Sequence, residues 1–591
     1  MPKYILICFF YVCSVWLHAQ RQYTFTDASE YLPKTVILKV KPQFRASCTE
    51  SGIDHALYRK LAADLQVNRI YKKFKNEQAP AVEKNSLGQT LTDLSLIYEI
   101  TYSGNIPMEK ALSSLMSTGL FQYAEPHIVP KLSYNPNDPL ANPSNQYHLQ
   151  TINAFNAWSV NRGDSSIVIG ITDTGTDTSH LDLFNSIKRN LADPIDMIDN
   201  DGDGYVDNYM GWDLGMNDND PTYQANAHGV HVCGIAGATA DNNTGGAGVG
   251  FNCKILPVKI GDANGNLIAA YEGIKYAADH GCTAINCSWG ANSGTQYGQD
   301  IVNYATINKN ALVVAAAGNN GNSIDFFPAA FDHVFAVANT DASDVLVLSS
   351  DYGYFVDVCA PGNNVNSTWP GNFYITLTGT SMSSPCVAGA AGLVKKQFPS
   401  YTGLQIAERL RVTADNIYGS NPSYINKLGS GRINLYRALT DPATPSIVFD
   451  NKLITDHNDD TFVSGDTLFI SGHFNNYLAP TTALSATLTS LSAFANPLDN
   501  TTYPGVVNTL NYADNISDPF TFKLSGSIPL NQSIDFRLDI QDGTYQTVAF
   551  FSVYLNTDYI NITINDINTT ATSLGRIGYN TNGQAQGLGF K

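Results

Sequence analysis

Apolar positions along the chain fall into three successive rhythms. In the first stretch, "PMEKALSSLMSTG" from Pro107 repeats at helical spacing through Ala111, Leu112, Leu115 and Met116, while "TVILKVKPQF" (35–44) and "FQYAEPHIVPKL" (121–132) read as extended chain. This predicts a small α+β unit over residues 20–134. The Asn- and Pro-rich run "SYNPNDPLANPSNQ" from Ser133 then breaks the pattern, marking a boundary and an exposed cleavage point. Continuous apolar runs follow from Ile167, in "SIVIGITD", "CKILPVKI", "TAINCSW", "ALVVAAAGN" and "HVFAVANT", with the helical stretch "LIAAYEGIKYAADHG" among them. Strands apolar on both faces and alternating with helices predict an α/β domain over 135–441, its mainly parallel sheet flanked by helices. After "SGRINLYRAL", the breaker "TDPATP" opens a region of period-two alternation, "DTLFISGHF", "FTFKLSGSI", "DFRLDIQDG" and "TVAFFSVYL", with Asp542-Gly543 as a hairpin signal. A β-sandwich over 446–555 is expected. Residues 556–591 carry no such pattern, are assigned to no domain, and read as the start of a further unit.

Length agrees with this division, since 591 residues exceed one core and favour about three or four domains. Hydrophobic residues make up 43% and charged residues 15%, a globular composition. A net charge of −18 excludes nucleic acid as a partner and suits cation sites or solubility. The opening "MPKYILICFFYVCSVWLHAQ" places one lysine before an apolar segment and a small residue at Ala19, the order of a secretory signal peptide over 1–19. No other apolar run reaches membrane-spanning length, so a mature chain without a transmembrane anchor is expected, secreted to the extracellular space or the cell surface. Cys8 and Cys13 leave with the signal. Cys48 and six cysteines from Cys233 to Cys386 remain, the six permitting fifteen pairings. Without CxxC or metal spacing they are expected mostly as buried small hydrophobes, a disulfide being open to them in an oxidising medium.

Three element ends carry chemistry for acyl transfer. In "GTSMSSPCVAGAAGL" (379–393), Gly379-Thr380-Ser381 forms a turn into a helix of unusually small residues, and the free N–H groups of that helix start favour negative charge. A serine hydroxyl there needs a base in reach, and the base needs a carboxylate to fix its tautomer. Asp173 ends "SIVIGITDTG" and His228 opens "HGVHVCGIAGA". On the residues alone, His231 is a second candidate base, and Ser383 and Ser384 are second candidate nucleophiles. Between Asp173 and His228 runs "DPIDMIDNDGDGYVDNYMGWD". Asp199, Asp201, Asp203 and Gly204 fit the start of a calcium loop, with Tyr205 offering a carbonyl and Asp207 a further oxygen. The twelfth position is Met210 and not the Glu of an EF-hand, so the reading is an EF-like fragment holding structural calcium.

Taken in order, "DTGTDTSHLDL", "HGVHVCG", "AAAGNNG" and "GTSMSSPCVAGAAGL" make the sequence resemble the subtilisin family (subtilases) of serine peptidases over roughly residues 140–440. The resemblance implies Ser381 as nucleophile, His228 as general base and then acid, and Asp173 as the orienting carboxylate. Asn319 would donate its amide to the oxyanion beside the Ser381 N–H. His231 then supports helix packing, and Ser383 and Ser384 fall in the first helical turn. Ser288, Trp289 and Gly290 would receive an extended peptide as an added strand. Ala316, Ala317 and Gly318 would wall the pocket for the residue before the scissile bond, while Trp289 reads equally as a packing residue. Cys233 and Cys386 stand where the family commonly has alanine and histidine.

The same resemblance makes residues 20–134 a prodomain that assists folding, inhibits the cleft and leaves by self-cleavage after Leu132. The function implied is a secreted, calcium-supported endopeptidase acting on protein or peptide substrates, made as a zymogen. Two alternatives stay open: a non-catalytic surface binding or adhesion protein on a protease scaffold, and a peptide ligase that hands its acyl-enzyme to an amine. The β-sandwich reads as a stabilising spacer or as a binding module.

Overall fold

The computed structural model describes residues 31–129, 134–458, 460–564, 567–572, 577–578 and 589–590. The signal peptide read over 1–19 and the cleavage point after Leu132 lie outside the described residues. The chain separates into two units, one ending at Lys131 and the other beginning at Leu132.

In the first unit, Tyr31–Val40 pairs antiparallel with Ile97–Tyr102 and Phe121–Ile128, and Val67–Lys72 completes a four-stranded sheet. Residues two apart share a face. Val36, Leu38 and Val40, with Tyr98, Ile100 and Tyr102, thereby meet Tyr58 and Leu65 of helix Ala56–Leu65 and Ala111 and Leu115 of helix Met108–Ser117. The first strand stops at Val40, short of the expected 44. Pro42 has no N–H for a ladder and instead starts the 3-10 helix Pro42–Ser47.

The second unit contains a parallel seven-stranded sheet in the order Val358–Pro361, Val334–Thr340, Leu312–Ala316, Ala284–Cys287, Val168–Asp173, Lys254–Lys259, Trp212–Asp213. Every residue of the strands Val168–Asp173, Ala284–Cys287, Leu312–Ala316 and Val334–Thr340 is buried, as continuous apolar runs require. One face carries Ile169, Ile171, Val314 and Val337 against the helices His228–Gly237 and Thr380–Gln397, here the histidine helix and the serine helix. The other carries Val258, Ile285 and Val313 against helix Ala270–Asp279. Small side chains let the serine helix come close. A β-carbon on Gly389 would sit 2.8 Å from Val249 Cβ and 2.9 Å from the Ala236 carbonyl of the histidine helix, leaving room only for hydrogen.

Beyond Asp441 the chain builds two antiparallel sheets around one core that includes Phe474, Phe522, Phe536 and Leu538. Asp542 and Tyr545 close the hairpin of Gln532–Asp542 with Tyr545–Leu555, and Gly543 takes φ 59° in the turn. This sandwich is joined to the α/β part through helix Gly403–Val412. Arg411 Nε reaches Glu408 at 2.8 Å, its Nη2 bonds Ser446 Oγ at 2.9 Å, and its Nη1 bonds Thr547 Oγ1 at 3.1 Å. Gln405 donates to the Tyr477 carbonyl at 2.8 Å. A small third sheet, Tyr559–Ile564, Ile567–Thr572 and Gly589–Phe590, follows. Among the described residues all seven cysteines are unpaired, six of them buried.

Lys259 and Asp213 form an ion pair with 1% side-chain exposure each. Removing one partner of such a pair strands a buried charge. Lys259→Met is expected to lower unfolding free energy by about 3–5 kcal/mol, and adding Asp213→Leu to recover most of that loss. Urea unfolding of the two variants checks this; a double variant no more stable than the single one would show that packing, not the orphaned charge, sets the cost.

Candidate active site

In a parallel sheet every strand runs the same way, so residues at strand ends collect at one edge. Asp173 is the last residue of Val168–Asp173, Ser288 follows Ala284–Cys287, and Asn319 lies three residues past Leu312–Ala316. His228 opens the histidine helix and Ser381 is the second residue of the serine helix. These positions are far apart in sequence and are gathered by topology.

Asp173 is 3% exposed, and its Oδ1 and Oδ2 lie 2.9 and 3.1 Å from His228 Nδ1. Oδ1 also accepts the Thr174 N–H at 2.7 Å, and Thr174 Oγ1 in turn accepts the Gly229 N–H at 3.0 Å, tying the strand end to the helix start. A carboxylate on Nδ1 places the proton there and leaves Nε2 as the basic nitrogen. Burial works against protonation of His228, but the charge and hydrogen bond of Asp173 outweigh it, and the ring holds its proton above the usual histidine range. His231 lies in a different setting. It is fully buried, its Nε2 bonds the Ile375 carbonyl at 3.1 Å, and burial pushes its pKa down to about 4.

The Ser381 hydroxyl donates to the Ser288 carbonyl at 3.3 Å and makes no hydrogen bond to His228 in this structure. Underneath runs a chain of bonds that pattern reading did not single out. Ser384 Oγ donates to Asn286 Oδ1 at 2.6 Å, Asn286 Nδ2 to Ser288 Oγ at 2.9 Å, and Ser288 Oγ to the Ser381 carbonyl at 2.9 Å. Ser384 is thus spent inside the core, and Ser383 donates to the Ala360 carbonyl at 2.9 Å. Asn319 is exposed, and its Oδ1 accepts both the Thr380 N–H at 2.9 Å and the Thr380 hydroxyl at 3.1 Å. That fixes the amide orientation and leaves the NH2 without a partner among the described residues.

Ser288, Trp289 and Gly290 run from buried to exposed, while Ala316, Ala317 and Gly318 are all buried. Trp289 turns back: its indole N–H donates to the Thr172 carbonyl and hydroxyl, both at 3.0 Å, and its ring meets Tyr271 at 5.6 Å. Cys233 and Cys386 are fully buried, and burial drives both thiols up, Cys233 to about 12.

Asp199, Asp201 and Asp203 bring ligand oxygens within 4.8 Å of one another. Oxygens on opposite sides of one calcium, each 2.3–2.6 Å from it, stand about 5 Å apart, so the trio fits a single ion. Hydrogen bonds from the Gly204 and Gly202 N–H groups hold the Asp199 carboxyl below its usual range. Tyr205 donates its N–H to Asp203 at 2.8 Å. Asp207 stands apart from the trio, its carboxylate taken by the Asp196 and Met197 N–H groups at 2.9 Å. A second acidic pair escaped the sequence pattern. Asp138 accepts the Asp241 and Asn242 N–H groups, and Asp182 accepts Asn242 Nδ2 and the Gly246 N–H. Burial, with the Asp138 charge adding to it, pushes Asp182 up to about 6, and no Lys or Arg pairs with either carboxylate among the described residues.

Comparison with known proteins falls on the same part of the chain. The model of the Subtilase family matches residues 164–437. The chain is 39% identical to the thermophilic serine proteinase of Bacillus sp. (strain AK1), over 58% of this chain and 78% of that one. It is 39% identical to thermitase of Thermoactinomyces vulgaris, over 52% of this chain and 99% of that one. It is 33% identical to the halolysin-like extracellular serine protease of Natrialba magadii, over 54% and 55% respectively.

Beside this site two neutral imidazoles are locked in the core. Neither ring nitrogen of His148 has a partner; burial, with the repulsion that protonating both it and His231 would cause, pushes its pKa down to about 3. A histidine depressed in the fold leaves stability intact above its unfolded value of about 6.5 and costs stability as pH falls below it. Wild-type protein is expected to lose stability steeply from pH 6.5 to 4.5, and His148→Leu to lose about 2 kcal/mol less over that span. Urea unfolding at the two pH values measures the difference; parallel losses would remove His148 from the account.

Proposed function

The chain belongs to the subtilase family, and we propose that it is a secreted serine endopeptidase, made as a zymogen, that cleaves peptide bonds through an acyl-enzyme on Ser381. The observation that carries this reading is the Asp173–His228 pair with a free Nε2, set at the sheet edge where the Ser381 helix and the Asn319 amide also begin. A peptide laid along Ser288–Gly290 as an added strand presents its carbonyl to Ser381. The Ser381 hydroxyl turns from the Ser288 carbonyl to His228, gives its proton to Nε2 and bonds the carbonyl carbon. Asp173 keeps the other ring nitrogen protonated and balances the imidazolium. The oxyanion receives the Asn319 NH2 and the Ser381 N–H, a donor set in which one member is worth about 10²–10³ in turnover. His228 then passes the proton to the departing amine, and water, deprotonated by the same nitrogen, releases the acid.

Residues 20–134 act as the prodomain of this enzyme, a compact α+β unit ahead of a polar linker. Parallel sheets fold slowly because their contacts are non-local, which an attached folding aid relieves. The extracellular relative from Natrialba magadii and the apolar N-terminal segment support secretion. Calcium at Asp199, Asp201 and Asp203, with carbonyls of the same loop, relieves the mutual repulsion of three carboxylates and stiffens the loop. The β-sandwich is a stabilising spacer, a role supported by its buried joint at Arg411.

A fluorophosphonate probe, followed by mass spectrometry of the tagged peptide, is expected to label Ser381 in the wild type. Ser381→Ala is expected to take no label and to retain residues 20–134. Efficient self-processing of that variant would sink the nucleophile assignment. For the metal, Asp201→Asn with Asp203→Asn is expected to bind one calcium fewer per chain. It should also lose the stabilisation, about 2.7 kcal/mol at a hundredfold excess over Kd, that calcium gives the wild type. An unchanged calcium stoichiometry would place the ion elsewhere.

A further inference from the structure

The two segments that wall the candidate cleft, Ser288–Gly290 and Ala316–Gly318, do not enclose an empty slot. The ring of Phe326 touches both. A β-carbon built on Gly290 would lie 2.4 Å from Phe326 Cε1, and one built on Gly318 would lie 3.1 Å from Phe326 Cγ. Phe326 is half-buried, so part of the residue stays open to solvent.

We propose that Phe326 is the floor of the pocket for the residue on the acyl side of the scissile bond, and that it restricts that residue to small side chains such as glycine, alanine and serine. This rests on the reading of Ser381 as nucleophile and deepens it to a substrate class.

The ring is held where it is. Phe327 exchanges two backbone hydrogen bonds of 2.8 Å with Ala291, which sets Phe326 in register beside Gly290. On the C-terminal side the Phe326 carbonyl accepts the Ala330 N–H at 2.9 Å. The opposite wall cannot retreat. Gly318 has φ +112°, and a β-carbon there would fall 2.0 Å from Asp351 Oδ2. Asp351 itself is 1% exposed, donates its N–H to the Gly318 carbonyl at 2.9 Å and accepts the Asn320 and Asn322 N–H groups at 2.8 and 3.0 Å. Both walls are glycine at the point of contact: the space in the side-chain direction of Gly290 is taken by the Phe326 ring, and that of Gly318 by the Asp351 carboxylate with the Phe326 ring next to it. A methyl or hydroxymethyl group can rest on that ring. A leucine or phenylalanine side chain must displace it, along with the backbone pairing that holds it. Size exclusion in an apolar pocket discriminates by about 10- to 200-fold per methylene-sized step.

The test uses the processed full enzyme and tetrapeptide p-nitroanilides that differ only in the residue before the scissile bond: alanine, leucine or phenylalanine. The wild type is expected to show a kcat/KM for alanine at least about tenfold above that for phenylalanine. Phe326→Ala is expected to shift the phenylalanine-to-alanine ratio about 100-fold towards phenylalanine. Phe326→Leu, a milder change that also guards against a folding failure, is expected to fall between. A wild type that turns over phenylalanine as well as alanine overturns the proposal. So does an unchanged ratio in both variants while Ser381 still takes the fluorophosphonate label. Absence of that label in the wild type overturns the nucleophile reading, and this inference with it.

Discussion

The serine helix can lie against the histidine helix only because its contacting residues are almost without side chains. Gly389 meets the Ala236 carbonyl at a distance no β-carbon would tolerate, and Ala388, Ala390 and Ala391 are fully buried beside it. Both helices rest on one face of the parallel sheet, so their separation sets how far Ser381 stands from His228, and the strand Val168–Asp173 beneath fixes how far His228 stands from Asp173. Interiors packed at crystal-like density transmit such displacements without absorbing them. A methyl group added at Gly389 acts, on this view, at the head of the helix as well as in its middle.

A second layer of polar bonds works within that frame. Asn286, fully buried in the strand Ala284–Cys287, links Ser384 on the helix to Ser288 on the segment proposed to receive the peptide, and Ser288 holds the carbonyl of Ser381. Thr380 does the same for the Asn319 amide from the other side. The proposed nucleophile and the proposed oxyanion donor are each held by a neighbour with no role of its own in the chemistry. Buried polar chains of this kind are costly if broken anywhere, because each broken link leaves an unpaired group in a low dielectric.

The architecture was legible because its cause is periodic. Continuous apolar strands alternating with helices leave few arrangements other than a covered parallel sheet, and the period-two region after Asp441 could bury its apolar face only against another sheet. Asp173, His228 and Ser381 stood out because each sits where an element begins or ends, next to glycines or small residues, whereas Asn319 was named only through the family resemblance. What stayed hidden lacks such punctuation. Phe326 lies in "SIDFFPAAF", where apolar and polar residues follow no period, and its place between Gly290 and Gly318 arises only from pairing with Ala291. Asn286 reads as one polar residue in an apolar strand. Asp138 and Asp182 are brought near by the loop after the histidine helix, a contact that no local spacing announces. Asp207, next to the acidic trio in sequence, spends its carboxylate on two backbone N–H groups.

The unpaired cysteines turn folding into a race. Burial lifts the thiols of Cys233, Cys253, Cys282 and Cys287 to about 12, so at neutral pH the finished fold holds almost no thiolate to react. The unfolded chain has no such shelter: each thiol there returns to about 8.5, and all seven, Cys48 included, offer wrong pairings to an oxidant. The fold is therefore its own antioxidant, but only after it has formed. The time between exposure of the chain and closure of the sheet is the interval in which its yield is decided.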